Sequence, residues 1–197
     1  MAKSHGGKVN MRLVKKKVAD SNRLKRLMDQ VARKRFDHAK KQIIKEFDHH
    51  SVTKELQAGP DGQNLSDTLG GYGNLFSYIG FPAGTDPTVV VKNFLINSIK
   101  LKRSSKGSKL DVSYRVSLPT LDDFNFAKMP WESGKGWVSS IESGISGFNY
   151  YMAKAVEASR SGTAIQVDGK LRGRGSSAGI KYMSRMLSNF KQRIMQK

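Results

Sequence analysis

The chain has 197 residues, with 35 Lys and Arg against 16 Asp and Glu, a formal net charge of +19. That length suits one ordinary domain, or one core with extended arms. No apolar run approaches the ~18 residues that cross a bilayer, and no apolar signal core follows the basic start, so secretion and membrane spanning are not expected. Cysteine is absent, which excludes disulfides, thiolate catalysis and most zinc motifs. The excess charge calls for an acidic partner, nucleic acid first among them.

The charge is uneven along the chain. Residues 1–50 carry a net +10, residues 51–100 −1, residues 101–150 +2 and residues 151–197 +8. The ends thus hold 18 of the 19 net charges around a nearly neutral, apolar centre. Residues 1–19, with Lys3, Lys8, Arg12 and the run Lys15-Lys16-Lys17, lack an apolar period and read as a basic flexible arm. From Asp20 or Ser21, both natural N-caps, Leu24, Leu27, Met28, Val31, Phe36, Ala39, Ile43 and Phe47 recur every three or four residues. This spacing predicts an amphipathic helix over about 21–48, with Arg23, Lys25, Arg26, Arg33, Lys34, Lys40 and Lys41 on its other face.

Gly59, Pro60 and Gly62 mark a turn, and Leu75 to Phe81 reads as a short buried strand. Asp86-Pro87 resembles a helix start, predicting a helix to about Asn97, while three consecutive valines favour a strand there. Ile99 to Arg103 and Lys109 to Leu118 predict a hairpin turning at Ser104 to Ser108, with Leu110, Val112, Tyr114, Val116 and Leu118 on the inner face. Met129-Pro130-Trp131 reads as a buried anchor in a loop, and Trp137, Val138, Ile141 and Ile145 have helical spacing. Ser176 or Ser177 can cap a last helix over about 177–195, with Ile180, Met183, Leu187, Phe190 and Ile194 as its apolar stripe. The expected fold is α+β: a long N-terminal helix, a small antiparallel sheet with a hairpin and a closing C-terminal helix, with residues 20–197 as one domain.

Catalytic motifs fail on inspection. Gly175-Ser176-Ser177-Ala178-Gly179 matches G-x-S-x-G, yet a nucleophile elbow needs a later His and the last one is His50. Ser51 to Lys54 and Ser188 to Lys191 match S-x-x-K, a cheap match in a Ser- and Lys-rich chain. His49-His50 with Asp48, Glu46 and His38 fits no familiar metal spacing, and a helix terminus explains the pair better. Asp122-Asp123 reads as a loop charge pair rather than a cation site. No enzyme, metal or cofactor is expected. The candidate anion contacts are Lys15, Lys16 and Lys17 in the arm and Arg172 and Arg174, which precede a helix start. Aromatics do not alternate with these charges, so any nucleic-acid contact should be phosphate-directed and sequence-blind.

Three strings carry a resemblance: LGGYGNLFSYIGF (69–81), PWESGKGWVSSIESGISGF (130–148) and SRSGTAIQV (159–167). They are similar to the neck or tail-completion proteins of tailed, myovirus-type bacteriophages, over the stretch from about His49 to the C terminus. The resemblance implies a structural virion protein, assembled in the host cytoplasm. It would form a ring, hexameric by analogy, between the head connector and the tail, with arms exchanged between subunits. It brings no catalytic residue. Under this reading Tyr72, Phe76, Tyr78, Trp131 and Trp137 are candidate subunit contacts, each with a plain alternative as core. The basic ends would meet acidic neighbours or the genomic DNA. The competing expectation is a freestanding, sequence-nonspecific nucleic-acid-binding protein.

Overall fold

Apolar spacing of three and four dictates the first element, α1, over Asn22–His49. In the computed structural model, which describes residues 10–13, 22–67, 73–104, 113–130, 132–143 and 180–195, its inward stripe is Phe36, Ala39, Ile43 and Phe47, all buried. The N-terminal part of the same stripe is not covered: Leu27 and Val31 are 50% and 61% exposed. Within the segment expected to be a flexible arm, residues 11–13 form a helical turn, with the Asn10 side chain accepting from the Arg12 and Leu13 N–H groups. The expected caps Asp20 and Ser21 lie outside the described residues.

The chain continues through α2 (Ser51–Gln57), α3 (Leu75–Ile79) and α4 (Thr88–Ser98). Strands β1 (Lys100–Ser104) and β2 (Ser113–Ser117) then form an antiparallel pair. A single 3-10 turn at Asp122–Phe124 leads to a second small antiparallel pair, β3 (Lys128–Met129) and β4 (Glu132–Gly136). Helices α5 (Trp137–Ser143) and α6 (Met183–Met195) complete the described elements. The architecture is α+β, with two two-stranded sheets among mostly helical elements.

Where the sequence suggests a strand at Leu75 to Phe81, the chain forms α3. Every residue of α3 is buried, so the segment has no polar face and its hydropathy cannot distinguish helix from strand. The ends decide. Asn74 Oδ1 accepts from the Ser77 N–H at 2.9 Å, and Gly80 takes the left-handed conformation (φ 81°) that lets Phe81 N–H reach the Phe76 carbonyl. At α4 the valines give way to helix: Thr88, Val91 and Leu95 form its buried stripe, and the Asp86 carboxylate accepts from the Thr88 N–H at 2.8 Å. The β2 residues alternate in exposure as expected, with Tyr114 and Val116 half-buried. Leu110 and Val112 lie outside the described residues. The expected loop anchor Met129 is buried in β3, and Gly136 in β4 passes so close to Asn125 that an added Cβ would sit 2.9 Å from its Cα.

The start of α6 is capped from a distance. Glu142, in α5, accepts from the Ser184 N–H at 2.6 Å, placing a carboxylate at the positive end of the helix. The serines expected to cap this helix, Ser176 and Ser177, lie outside the described residues.

The sequence reading expected one domain from residue 20 onward. By packing, the chain groups into two compact units. Met1–His38 with Lys100–Ser117 makes a helix–hairpin unit; Ala39–Ile99 with Leu118–Lys197 makes a core unit. The core unit holds the fully buried Phe47, Leu56, Phe76, Leu95, Phe124, Trp137, Tyr182 and Phe190. Burying each such side chain contributes roughly 1.5–3 kcal/mol.

Candidate polyanion-facing surface

The hairpin of the helix–hairpin unit sorts its side chains by face. Its register sets Lys100 opposite Ser117, Leu101 opposite Val116, Lys102 opposite Arg115 and Arg103 opposite Tyr114. Opposed residues of an antiparallel pair point to the same side. One face therefore carries Leu101, Arg103, Tyr114 and Val116. On it the Tyr114 hydroxyl donates to Asp29 of α1, and Arg103 pairs with the same carboxylate at 3.4 Å. Burial, and then the hydrogen bond to Asp29, raises the Tyr114 phenol above its ordinary pKa.

The other face carries Lys100, Lys102, Arg115, Ser113 and Ser117, all exposed, with half-buried Ser104. Among the described residues it has no acidic residue. On α1 of the same unit Arg23, Arg26, Arg33, Lys34 and Arg35 are exposed. Among the described residues this unit has 11 Lys and Arg against 2 Asp, whereas the core unit has 11 against 10 Asp and Glu. The net positive charge of the described residues is thus concentrated on one helix segment and one hairpin.

The residues singled out from sequence fall elsewhere. Phe76, Tyr78 and Trp137, read as candidate subunit contacts, are core side chains, exposed by 0%, 2% and 1%. Their area is already covered within the chain, so they present no surface to a neighbour. Trp137 packs edge-on against Phe81 at 6.2 Å and near Tyr182 at 6.4 Å. Burial pushes the Tyr78 phenol up to about 12. Tyr72, Trp131, Lys15, Lys16, Lys17, Arg172 and Arg174 lie outside the described residues. The apolar side chains that the core unit does expose include Val89, Val90 and Phe126, the last tilted against Phe94 at 4.8 Å.

The paired histidines divide two tasks at the α1–α2 corner. His49 Nδ1 lies 2.8 Å from the Lys45 carbonyl, one turn back in α1. His50 Nδ1 accepts from the Val52 N–H at 3.2 Å and so caps α2. Its ring also lies 4.8 Å from that of Tyr182. Burial first, and the nearby Arg185 second, lower the His50 pKa and favour the neutral ring that the cap requires. Asp123 accepts from both the backbone N–H and the hydroxyl of Thr120, at 2.7 and 2.9 Å, which holds its carboxyl below the usual range. Among the described residues no three His, Asp or Glu come together as a metal site. No described helix is long and apolar enough to cross a membrane.

Sequence reasoning missed Lys100, Lys102 and Arg115 as a set. The signal was present in the outward positions of the two strands, which hold cations and hydroxyls together with Asp111, a residue outside the described ones. It needed the register to bring the two halves together. Against family models, curated proteins and solved structures, the chain finds no match.

Proposed function

We propose that this chain is a non-enzymatic structural protein of a tailed-bacteriophage particle, forming a ring in the neck that joins the head connector to the tail. Two things support the reading: the resemblance of the three strings to neck and tail-completion proteins, and the separation of a well-packed unit, nearly neutral over its described residues, from a strongly basic one. The separation is the observation that carries it. A unit that satisfies its own charges suits a repeated building block, and an appended basic element suits docking on acidic neighbours or on DNA. With Phe76, Tyr78 and Trp137 inside the core, contacts between core units would fall on exposed groups such as Val90 and Phe126.

Light scattering and negative-stain imaging of the purified chain, alone and with the head connector, test this reading. Rings, or partner-driven ring formation, are the expected result. A monomer that never assembles on a connector overturns it. Deletion of residues 1–19 should impair assembly while leaving the thermal transition of the core intact. A second reading, a freestanding nucleic-acid-binding protein, is favoured by the basic face of the hairpin, which is acid-free among the described residues. A stable monomer with strongly salt-dependent DNA affinity would decide for it.

A further inference from the structure

We propose that the outer face of the β1–β2 hairpin, formed by Lys100, Lys102 and Arg115 with the hydroxyls of Ser113 and Ser117, binds the phosphate backbone of duplex DNA without regard to sequence. The inference goes beyond the role in the neck, because it assigns a ligand to one surface wherever the protein acts. Lys102 and Arg115 stand directly opposite each other in the register. Like charges so placed destabilise a strand pair, and no acidic side chain among the described residues of that face relieves them. Lys100 lies two residues along the same strand, about 6.6 Å away. Three cations within so small a patch need a partner of high and regular charge density. Duplex DNA provides one negative charge per ~1.7 Å of its axis, whereas surface carboxylates of a folded protein are interspersed with cations and neutral groups. The serine hydroxyls add donors for phosphate oxygens.

Two further features select a duplex over a single strand. The aromatic residue of the described strands, Tyr114, is on the opposite face and is bound to Asp29, so it provides no platform for base stacking. A two-stranded antiparallel ribbon is also narrow enough to enter a major groove, with its flanking cations on the phosphates. The exposed Arg33, Lys34 and Arg35 of the same unit extend the positive field without being needed for the contact.

The test uses the full chain and fluorescence anisotropy with a short random-sequence DNA duplex, titrated at several salt concentrations. The variant K100Q/K102Q/R115Q should bind roughly tenfold or more weakly, with the slope of log K against log salt shallower by about 3, from about 0.9 per lost phosphate contact. The control K41Q/K54Q/K191Q removes as many exposed charges from the core unit and should leave that slope nearly unchanged. K100R/K102R/R115K should retain binding. Thermal melting of the first variant should be no lower than that of the parent, since a repulsive pair has been removed; if it does not fold, R115Q alone should still reduce the slope by about 1. Equal weakening by the two Gln triples, or an unchanged salt slope in the hairpin variant, overturns the proposal. So does displacement of the duplex by polyglutamate of matched charge, which would assign the face to an acidic protein.

Discussion

The core unit ties several of its carboxylates to its own backbone, and the helix–hairpin unit leaves its many cations outside. In the core unit Glu55 is fully buried, with one oxygen accepting from the Leu75 N–H at 2.6 Å and the other from the Ser66 N–H at 2.8 Å. Asp86, Asp123 and Glu142 each accept from a backbone N–H as well, and Lys40 donates to the Ile99 carbonyl at the end of α4. Among its described residues the helix–hairpin unit has one comparable device, the carboxylate of Asp29 between Tyr114 and Arg103. Net charge is therefore a local property here. Carboxylates of one unit complete its fold, while the excess cations of the other remain available to a partner.

That contrast is broken most sharply by truncating side chains in each unit. Trp137→Ala in the core unit should lower stability by about 3–5 kcal/mol, measured by chemical denaturation. Leu27→Ala and Val31→Ala should each change it by no more than about 0.5 kcal/mol, because those side chains are already in solvent. A comparable loss from the two exposed positions would mean that the helix–hairpin unit has a covered core of its own. Next in size is Glu55→Ala, which strands two backbone donors inside the core unit and should cost about 2–4 kcal/mol. The loss should be partly recovered in Glu55→Gln, whose amide oxygen can still accept. Because Asn74 Nδ2 also donates to the Gly59, Pro60 and Gly62 carbonyls, hydrogen exchange in both variants should rise first over residues 59–67.

The elements that sequence made legible are those with a polar face. The long period from Leu24 to Phe47 gave α1 to within a residue or two, and the alternation through Tyr114 and Val116 gave β2. Helix α3 was not legible, because its five residues are all buried and only its caps carry information. The Glu55 and Glu142 contacts join positions 20 and 42 residues apart, and no local pattern marks such a pair. The candidate surface was half legible. Outward cations could be seen on each strand, but the opposition of Lys102 and Arg115 depends on register. An aromatic in a neutral stretch, such as Phe76 or Trp137, reads the same whether its cover comes from its own chain or a neighbour's.

A smaller effect tests the α1–α2 corner of the core unit through pH. The folded-state pKa of His50 lies below its ordinary value of 6.5, so near and below that pH the unfolded chain binds more protons than the folded one. Stability is therefore fully present above pH 6.5 and falls as the pH drops from there to the lowered folded value. The loss should include the α2 cap, about 1 kcal/mol, since a protonated Nδ1 cannot accept from Val52. Melting temperatures of the parent and of His50→Asn between pH 7.5 and 5 provide the check. Asn keeps a capping oxygen but does not titrate, so its curve should be flatter over that range. Parallel curves would show that His50 does not supply the pH dependence.

The smallest expected effect lies in the helix–hairpin unit. Asp29→Asn removes the charge that holds Arg103 and weakens the acceptor for the Tyr114 hydroxyl, yet both pairings are partly exposed, at 43% and 35% for the side chains of the ion pair. Such pairs contribute at most about 1 kcal/mol, so global denaturation should barely shift. The change should instead be local. Amide exchange in β1 and β2 should quicken several-fold, while exchange in α5 and α6 of the core unit should stay as it was. If protection falls in both units together, the two open as one cooperative body, and the division between a self-satisfied core and an independent basic element is lost. If it falls in the hairpin alone, the surface bearing Lys100, Lys102 and Arg115 is carried by an element whose stability can be tuned separately from the core.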